Sequence, residues 1–308
     1  MKEIKVIMYH YIRPIKNGKF KGLKGLEVKE FDNQIKFLNE NYNIINYDDF
    51  CSKLLNNNIQ GDEVLLTFDD GYIDHYSYAF PILKKYNVSG VFFVNSLPDE
   101  NVVMDVNKIQ LIFGYYDYDM TKIKSVFLKE FSDIDSSFDV NNILELKKKW
   151  YLPNKFDNAN IIFWKRLLQV GLKKEIRNLA LKNVFNEIFG DEKDVAKDFY
   201  LNIKHIKEMY SNGMSFGLHT HSHIFLGELK DISNIKDEIV KNINYLNEYI
   251  NMNYLSINYP YGNYDSNVLD VAKSLGIKIG FTTEWGGVTI KSDLLTLPRY
   301  DTNDFTKV

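Results

Sequence analysis

Short apolar runs alternate with stretches of helical period along most of the chain. Residues 6–10 form a compact apolar run, and Val28, Phe31, Ile35 and Leu38 then recur at helical spacing. Residues 42–45 read as a strand, 48–55 as a short helix and 64–68 as a second clear strand. A helix is predicted over 72–86, split or kinked at Pro81, because proline lacks an amide hydrogen and crowds the preceding turn. Residues 88–94 are β-branched and aromatic, the composition of strands buried on both faces of a parallel sheet.

The pattern changes between about 98 and 200. Lys, Asn and Asp accumulate there, and helical periods such as Ile161, Trp164, Leu167 and Leu168 stand without a strong strand. This stretch is expected to be a helical insertion or subdomain, interrupting one domain built from 1–97 and 201–308. Beyond it the alternation resumes with a helix over 203–212, a strand over 215–219 and a helix over 235–251. A strand over 255–259, a helix over 266–275, a strand over 277–282 and a last strand near 295–300 complete the series. Strands alternating with helices mark βα units around a mainly parallel sheet. About seven strands suit an α/β fold, a distorted and incomplete (β/α) barrel with a helical insertion.

Composition narrows the function classes. The 308 residues carry 38 Lys+Arg against 41 Asp+Glu, a net charge of −3, and 45% hydrophobic residues supply ample core. A pI near 6.1 argues against a nucleic-acid partner held by phosphate neutralisation. No apolar stretch approaches the roughly 18–20 residues that span a bilayer. The start, Met1-Lys2-Glu3, enters a short apolar run interrupted by Lys5 and followed by Arg13-Pro14. It reads as a core strand rather than a secretory leader, which points to a cytoplasmic protein. Cys51 is the single cysteine, so no internal disulfide forms.

Two strings carry chemistry. Three of the six histidines fall in His219-Thr220-His221-Ser222-His223, directly after a strand, where α/β folds place active-site loops. Neutral imidazoles bind zinc and similar metals, and histidines at i and i+4 share one face of a helical turn. The alternative is a solvated polar loop, or a histidine bonded to a nearby carbonyl. Thr67-Phe68-Asp69-Asp70-Gly71 also ends a strand. Its adjacent acids point in different directions, so one can bind a metal while the other faces substrate, and Gly71 permits the sharp turn that follows. The alternative there is a helix N-cap. Together the strings offer a two-histidine, one-carboxylate metal site with open coordination positions.

In this order the two strings resemble the first two motifs of the NodB-like polysaccharide deacetylases, carbohydrate esterase family four. Tyr259-Pro260-Tyr261-Gly262 is similar to their third motif, and Leu297-Pro298-Arg299 to a late motif of one branch. The opening Met8-Tyr9-His10-Tyr11-Ile12 is similar to the start of the biofilm poly-N-acetylglucosamine deacetylases, whose motif order is circularly permuted. The resemblance covers roughly 4–95 and 201–301 and leaves the insertion outside.

The resemblance implies Asp70, His219 and His223 as ligands of a divalent metal, zinc first, with nickel, cobalt or another divalent ion as alternatives. It implies Asp69 as catalytic base, His10 as general acid and the Tyr261 backbone N–H as donor to the oxyanion. His221, at the variable position, is expected at the rim or behind the ligands, near substrate. Tyr261 and Trp285 are the aromatic candidates for a sugar face. His75 and His205 match no motif and are expected at the surface. Two departures matter. The usual arginine shortly before Pro-Tyr-Gly is absent, the neighbouring positions being Ile257, Asn258 and Tyr259, so Arg299 is expected to pair with Asp69 instead. The late Leu-x-His motif is also absent, since no histidine follows His223, and that leaves His10 as the acid.

Amide hydrolysis needs an activated water, a stabilised oxyanion and a proton for the departing amine, and these residue types supply each. The expected activity is metal-dependent hydrolysis of a non-peptide carbon–nitrogen bond. It removes N-acetyl groups from an amino sugar in a polysaccharide or glycoconjugate, with a carbohydrate as partner. A deformylase or other sugar amidase, and a non-catalytic carbohydrate-binding protein on the same scaffold, are the alternatives.

Overall fold

The structure is a computed structural model and describes residues 2–16, 18–20, 22–153 and 157–304. The chain forms two compact units, one from Met1–Pro14, Gly25–Glu100 and Lys197–Val308, the other from Ile15–Lys24 and Asn101–Ala196. The short segment Ile15–Lys24 joins the second unit although it precedes the long insertion by some eighty residues of sequence.

The first unit holds β1 (Lys5–Tyr9), β2 (Asn43–Ile44), β3 (Glu63–Phe68), β4 (Val91–Val94), β5 (Ser215–Leu218), β6 (Ser256–Asn258), β7 (Ile279–Phe281) and β8 (Tyr300–Asp301). The order is β7-β6-β5-β4-β3-β1-β8, with β2 added to β3, and every pairing is parallel. Between β7 and β8 the ladder gives way to irregular bonds. The Gly280 and Leu297 N–H groups donate to Leu294 and Gly280 carbonyls, each at 2.8 Å, and Thr282 N–H donates to the Leu297 carbonyl at 2.9 Å. The sheet is therefore the distorted, incomplete (β/α) barrel that the alternation predicts.

Around it lie α1 (Val28–Asn41), α2 (Tyr47–Leu55) and α3 (Phe80–Lys85) before the insertion. The insertion contributes α4 (Asp105–Tyr115), α5 (Met120–Ile134), α6 (Val140–Trp150), α7 (Ala159–Arg166), α8 (Lys174–Phe189) and α9 (Glu192–Phe199). After it come α10 (Ile203–Ser211), α11 (Ile232–Leu246) and α12 (Ser266–Ser274). Among its described residues the second unit has helices and no named strand, in keeping with its helical periods. No helix among the described residues is long and apolar enough to cross a membrane.

Side-chain alternation along the strands creates two cores. Ile7, Tyr9, Val64, Leu66 and Phe68 pack outward against Phe31, Ile35 and Leu38 of α1. Val6, Leu65, Val91, Phe93, Ile279 and Phe281 turn the other way and close on Tyr47, Phe50, Cys51 and Leu54 of α2. Several element bounds differ from the sequence reading, among them the helix read over 235–251, which runs Ile232–Leu246. β4 starts only at Val91, after a left-handed residue at Asn87, φ 54°. The last strand shrinks to Tyr300–Asp301, because Pro298 has no N–H to donate where the chain crosses from β7 to β1. The helix expected over 72–86 is divided near Pro81 as predicted, into a π-helical turn, His75–Ala79, and α3, with Pro81 in the first turn of α3.

Candidate active site

The inward face of β3 runs Leu65, Thr67 and, one step past the strand, Asp69. Asp70 and Gly71 then adopt left-handed backbone, φ 75° and 65°, so the two neighbouring carboxylates part company. Asp69 meets Arg299 in a bidentate pair, Nη1 to Oδ1 at 2.9 Å and Nη2 to Oδ2 at 2.8 Å. The Arg299 side chain is fully buried. Its Nε donates to the Thr282 carbonyl at 2.9 Å, Nη1 also to Thr67 Oγ1 at 3.1 Å and Nη2 to Asn258 Oδ1 at 3.0 Å. The guanidinium fork thus spends all five of its donors inside the barrel. Burial pushes the Asp69 carboxyl up, but Arg299, then His10, outweighs it and holds the group below the ordinary carboxylate range. His10 Nε2 stands 3.7 Å from Asp69 Oδ2, with its side chain 43% exposed.

Asp70 turns the opposite way. Its Oδ1 lies 3.1 Å from His219 Nε2 and 3.0 Å from His223 Nε2, and one ligand atom from each of the three residues lies within 4.8 Å of the others. Tyr72 donates its hydroxyl to Asp70 Oδ2 at 2.6 Å, leaving Oδ1 to the imidazoles. His219 Nδ1 sits 2.7 Å from the Asn258 carbonyl. A carbonyl can only accept, so the proton belongs on Nδ1 and Nε2 presents a lone pair, the arrangement a metal-binding imidazole needs. Burial opposes ionisation of Asp70, yet His223 and His219 overcome it and hold the carboxyl well below its usual range. The donor set and its clustering fit a divalent cation.

The histidine loop is not a helical turn. Thr220 and His223 are left-handed, φ 63° and 55°, and these two reversals bring the imidazoles together. Glu238 of α11 holds the loop from behind, accepting from Ser222 N–H at 2.8 Å and Ser222 Oγ at 2.6 Å. Asn242 accepts the His219 N–H at 2.8 Å, and Asn95 Nδ2 donates to the His219 carbonyl. His221 is buried, its Nδ1 2.9 Å from Ser96 Oγ and its Nε2 3.6 Å from Glu100 Oε1.

Tyr261 is left-handed at φ 60°; its ring stacks on Phe225 at 3.9 Å and meets the His223 ring edge-on at 4.7 Å. Trp285 is 71% exposed with its ring 5.1 Å from Tyr300, beside Glu284, whose carbonyl accepts the Arg299 N–H at 2.8 Å. The structure therefore gathers His10, Asp69, Asp70, His219, His223, Tyr261 and Arg299, and sets Trp285 on an exposed loop next to them.

His75 is a correction. Expected at the surface, it is wholly buried, its Nε2 3.0 Å from the His10 carbonyl and its ring 5.6 Å from both Phe68 and Phe92. Burial pushes its pKa down to about 4. The signal was present in the sequence: His75, Ala79 and Leu83 repeat every four residues, and all three are buried. His205 is half-buried and caps α10, its Nδ1 accepting from Asn202 N–H at 3.2 Å. Tyr72, Asp74, Asn95, Glu238 and Asn258 also serve the site, and no motif announced them.

Residues 56–110 and 191–280 match the family model for polysaccharide deacetylase. The poly-beta-1,6-N-acetyl-D-glucosamine N-deacetylase of Staphylococcus aureus is 34% identical over 104 residues, 31% of this chain and 36% of the relative. The aligned stretch thus spans about a third of that relative's length. Among solved structures, the Streptococcus pyogenes deacetylase PplD in complex with acetate matches with a TM-score of 0.58 at 22% identity, over 97% of this chain and 92% of that one. IcaB from Ammonifex degensii gives 0.56 at 16% identity, over 99% and 94%. Both are likenesses of fold. The two matched blocks include Asp69-Asp70 and the loop from His219 to His223, skip most of the helical insertion, and are similar in sequence to the polysaccharide deacetylases.

Proposed function

We propose that the chain is a metal-dependent hydrolase that removes N-acetyl groups from an amino sugar in a polysaccharide or glycoconjugate. The observation that carries this reading is the division of labour between adjacent carboxylates. Asp70 faces two imidazoles, while Asp69 is locked by Arg299 and lies 3.7 Å from His10. The match to the polysaccharide deacetylase model, and the substrate in the name of the Staphylococcus aureus relative, support an N-acetylated sugar.

Asp70, His219 and His223 would hold the metal, and zinc suits two imidazoles with one carboxylate. The chemistry these residues would gain from a bound divalent ion is polarisation of the acetamide carbonyl and a water pKa lowered toward neutrality. Asp69, kept ionised by Arg299, accepts the proton of the attacking water. Tyr261 offers its backbone N–H to the oxyanion, a donor worth about 3–4 kcal/mol in comparable sites. His10 returns a proton to the leaving nitrogen. The Tyr261 and Trp285 rings supply apolar faces for the sugar.

The test is acetate and free-amine release from N-acetylglucosamine oligomers by the metal-loaded chain. Asp69→Asn should retain metal and lose turnover by about 10²–10⁴-fold, as removal of a general base does. Metal-loaded protein that releases no acetate from any N-acetylated sugar tried would overturn the reading.

A further inference from the structure

Four consecutive residues, His10 to Arg13, are each held by one four-residue turn, Tyr72 to His75. The β1–β3 ladder ends where Asp69 N–H donates to the Tyr9 carbonyl at 2.9 Å. The next carbonyl, that of His10, lies beyond the reach of a strand partner, and His75 Nε2 takes it at 3.0 Å. Tyr11 stacks on Tyr72 with ring centroids 4.0 Å apart. Asp74 Oδ2 accepts from the Ile12 N–H at 3.2 Å and from Arg13 Nε at 2.6 Å. The same turn reaches the other half of the site, since the Tyr72 hydroxyl holds Asp70 Oδ2.

We propose that this turn is a positioning clamp: His75, by bonding the His10 carbonyl, sets the His10 imidazole against Asp69, while Tyr72 fixes the orientation of Asp70. The inference rests on the hydrolase reading for His10 as acid. His75 touches no reacting atom and acts through His10, so it is a positioning residue. Its ring is wedged among Phe68, Tyr72 and Phe92, which fixes where its Nε2 can point. Burial keeps it neutral at working pH, so Nε2 carries the proton that it donates. A displacement of about 1 Å at a reacting group can cost on the order of 10²-fold in rate. One hydrogen bond on the backbone of His10 is enough to matter on that scale.

The experiment is a double-mutant cycle between His75→Phe and His10→Ala, with His75→Gln as the conservative partner whose amide can still donate. His75→Phe should keep metal content and KM, lose kcat on an N-acetyl sugar by about 10–10²-fold, and lose less on an activated ester that needs no leaving-group proton. In the His10→Ala background it should cost almost nothing further, and His75→Gln should recover most of the rate. If His75→Phe does not fold, His75→Asn, whose amide is too short to reach the carbonyl, replaces it in the same cycle. A crystal structure of the variant gives a readout without turnover, and His10 should shift away from Asp69 by about 1 Å or more. Equal losses with and without His10, equal losses on amide and ester, or an unmoved His10 in the crystal would each overturn the clamp. Wild-type protein that releases no acetate fails the hydrolase reading instead, and the crystal comparison still decides whether His75 positions His10.

Discussion

Arg299 and His75 show two ways of keeping a polar group inside the barrel. Arg299 remains charged because its fork meets five acceptors, two of them the oxygens of Asp69. Removing one partner of such a buried pair leaves the other unpaired, typically at about 3–5 kcal/mol, so the two were bound to appear together. His75 takes the other course and gives up its charge. Its ordinary pKa is near 6.5 in an unfolded chain, and burial lowers it to about 4 in the fold, with the His10 carbonyl, Asp70 and Asp69 opposing the shift and His10 adding to it. Between those two values the unfolded state binds a proton that the native state does not. This contribution to stability is therefore complete above about pH 6.5 and declines as pH falls toward 4, by roughly 3 kcal/mol in all. Urea unfolding of wild type and His75→Gln across that range should give curves that converge toward pH 4 relative to their separation at pH 7. Parallel curves would mean that His75 is already protonated in the native state.

The histidine loop is an element whose shape is held by its neighbours. Asp70, Thr220, His223 and Tyr261 are non-glycine residues with left-handed backbone, which costs about 1–2 kcal/mol each for a residue without a local bond to compensate. Glu238, Asn242 and Asn95 hold the loop in that shape from α11 and the end of β4. Glu238→Gln replaces one acceptor oxygen with a donor facing Ser222. It should weaken metal binding by about 10–10²-fold, as loss of an outer-shell support does, with helix content unchanged by circular dichroism. Metal affinity equal to wild type would make Glu238 a bystander. The contrast with what was legible in the sequence follows from range. β1, β3 and β5 were readable because apolar runs are local, and the ligand strings because their chemistry is concentrated in five residues. Asn258 with Arg299, and His10 with His75, are paired across 41 and 65 positions, and no local pattern encodes such a pair. His75 was the exception: it shares a four-residue repeat with buried Ala79 and Leu83, a local pattern that places it in the core although it matches no motif.

At the scale of the whole chain the site is a product of barrel assembly. His10 follows β1, Asp69 and Asp70 follow β3, His219 and His223 follow β5, Tyr261 follows β6, and Arg299 precedes β8. The proposed ligands come from strands separated by β4 in the sheet, so in the unfolded chain Asp70 and His219 are 149 positions apart and would hold no metal together. Metal binding at the proposed site would then be coupled to folding of this unit, since a ligand that binds the native state alone stabilises it by RT ln(1 + [L]/Kd). At a metal concentration near 100 Kd that is about 2.7 kcal/mol, or a rise in melting temperature on the order of 5 °C for a chain of this size. Titrating zinc into metal-free protein should produce this rise, saturate, and be reversed by a chelator. Asp70→Asn, His219→Ala and His223→Ala should each lose both the rise and the bound metal found by elemental analysis, while Asp69→Asn should keep both. Unfolded histidines bind zinc weakly and shrink the effect, so wild type and variants are compared at one metal concentration. A wild-type melting curve indifferent to zinc, or stoichiometric metal in any of the three ligand variants, would remove Asp70, His219 and His223 as the ligand set.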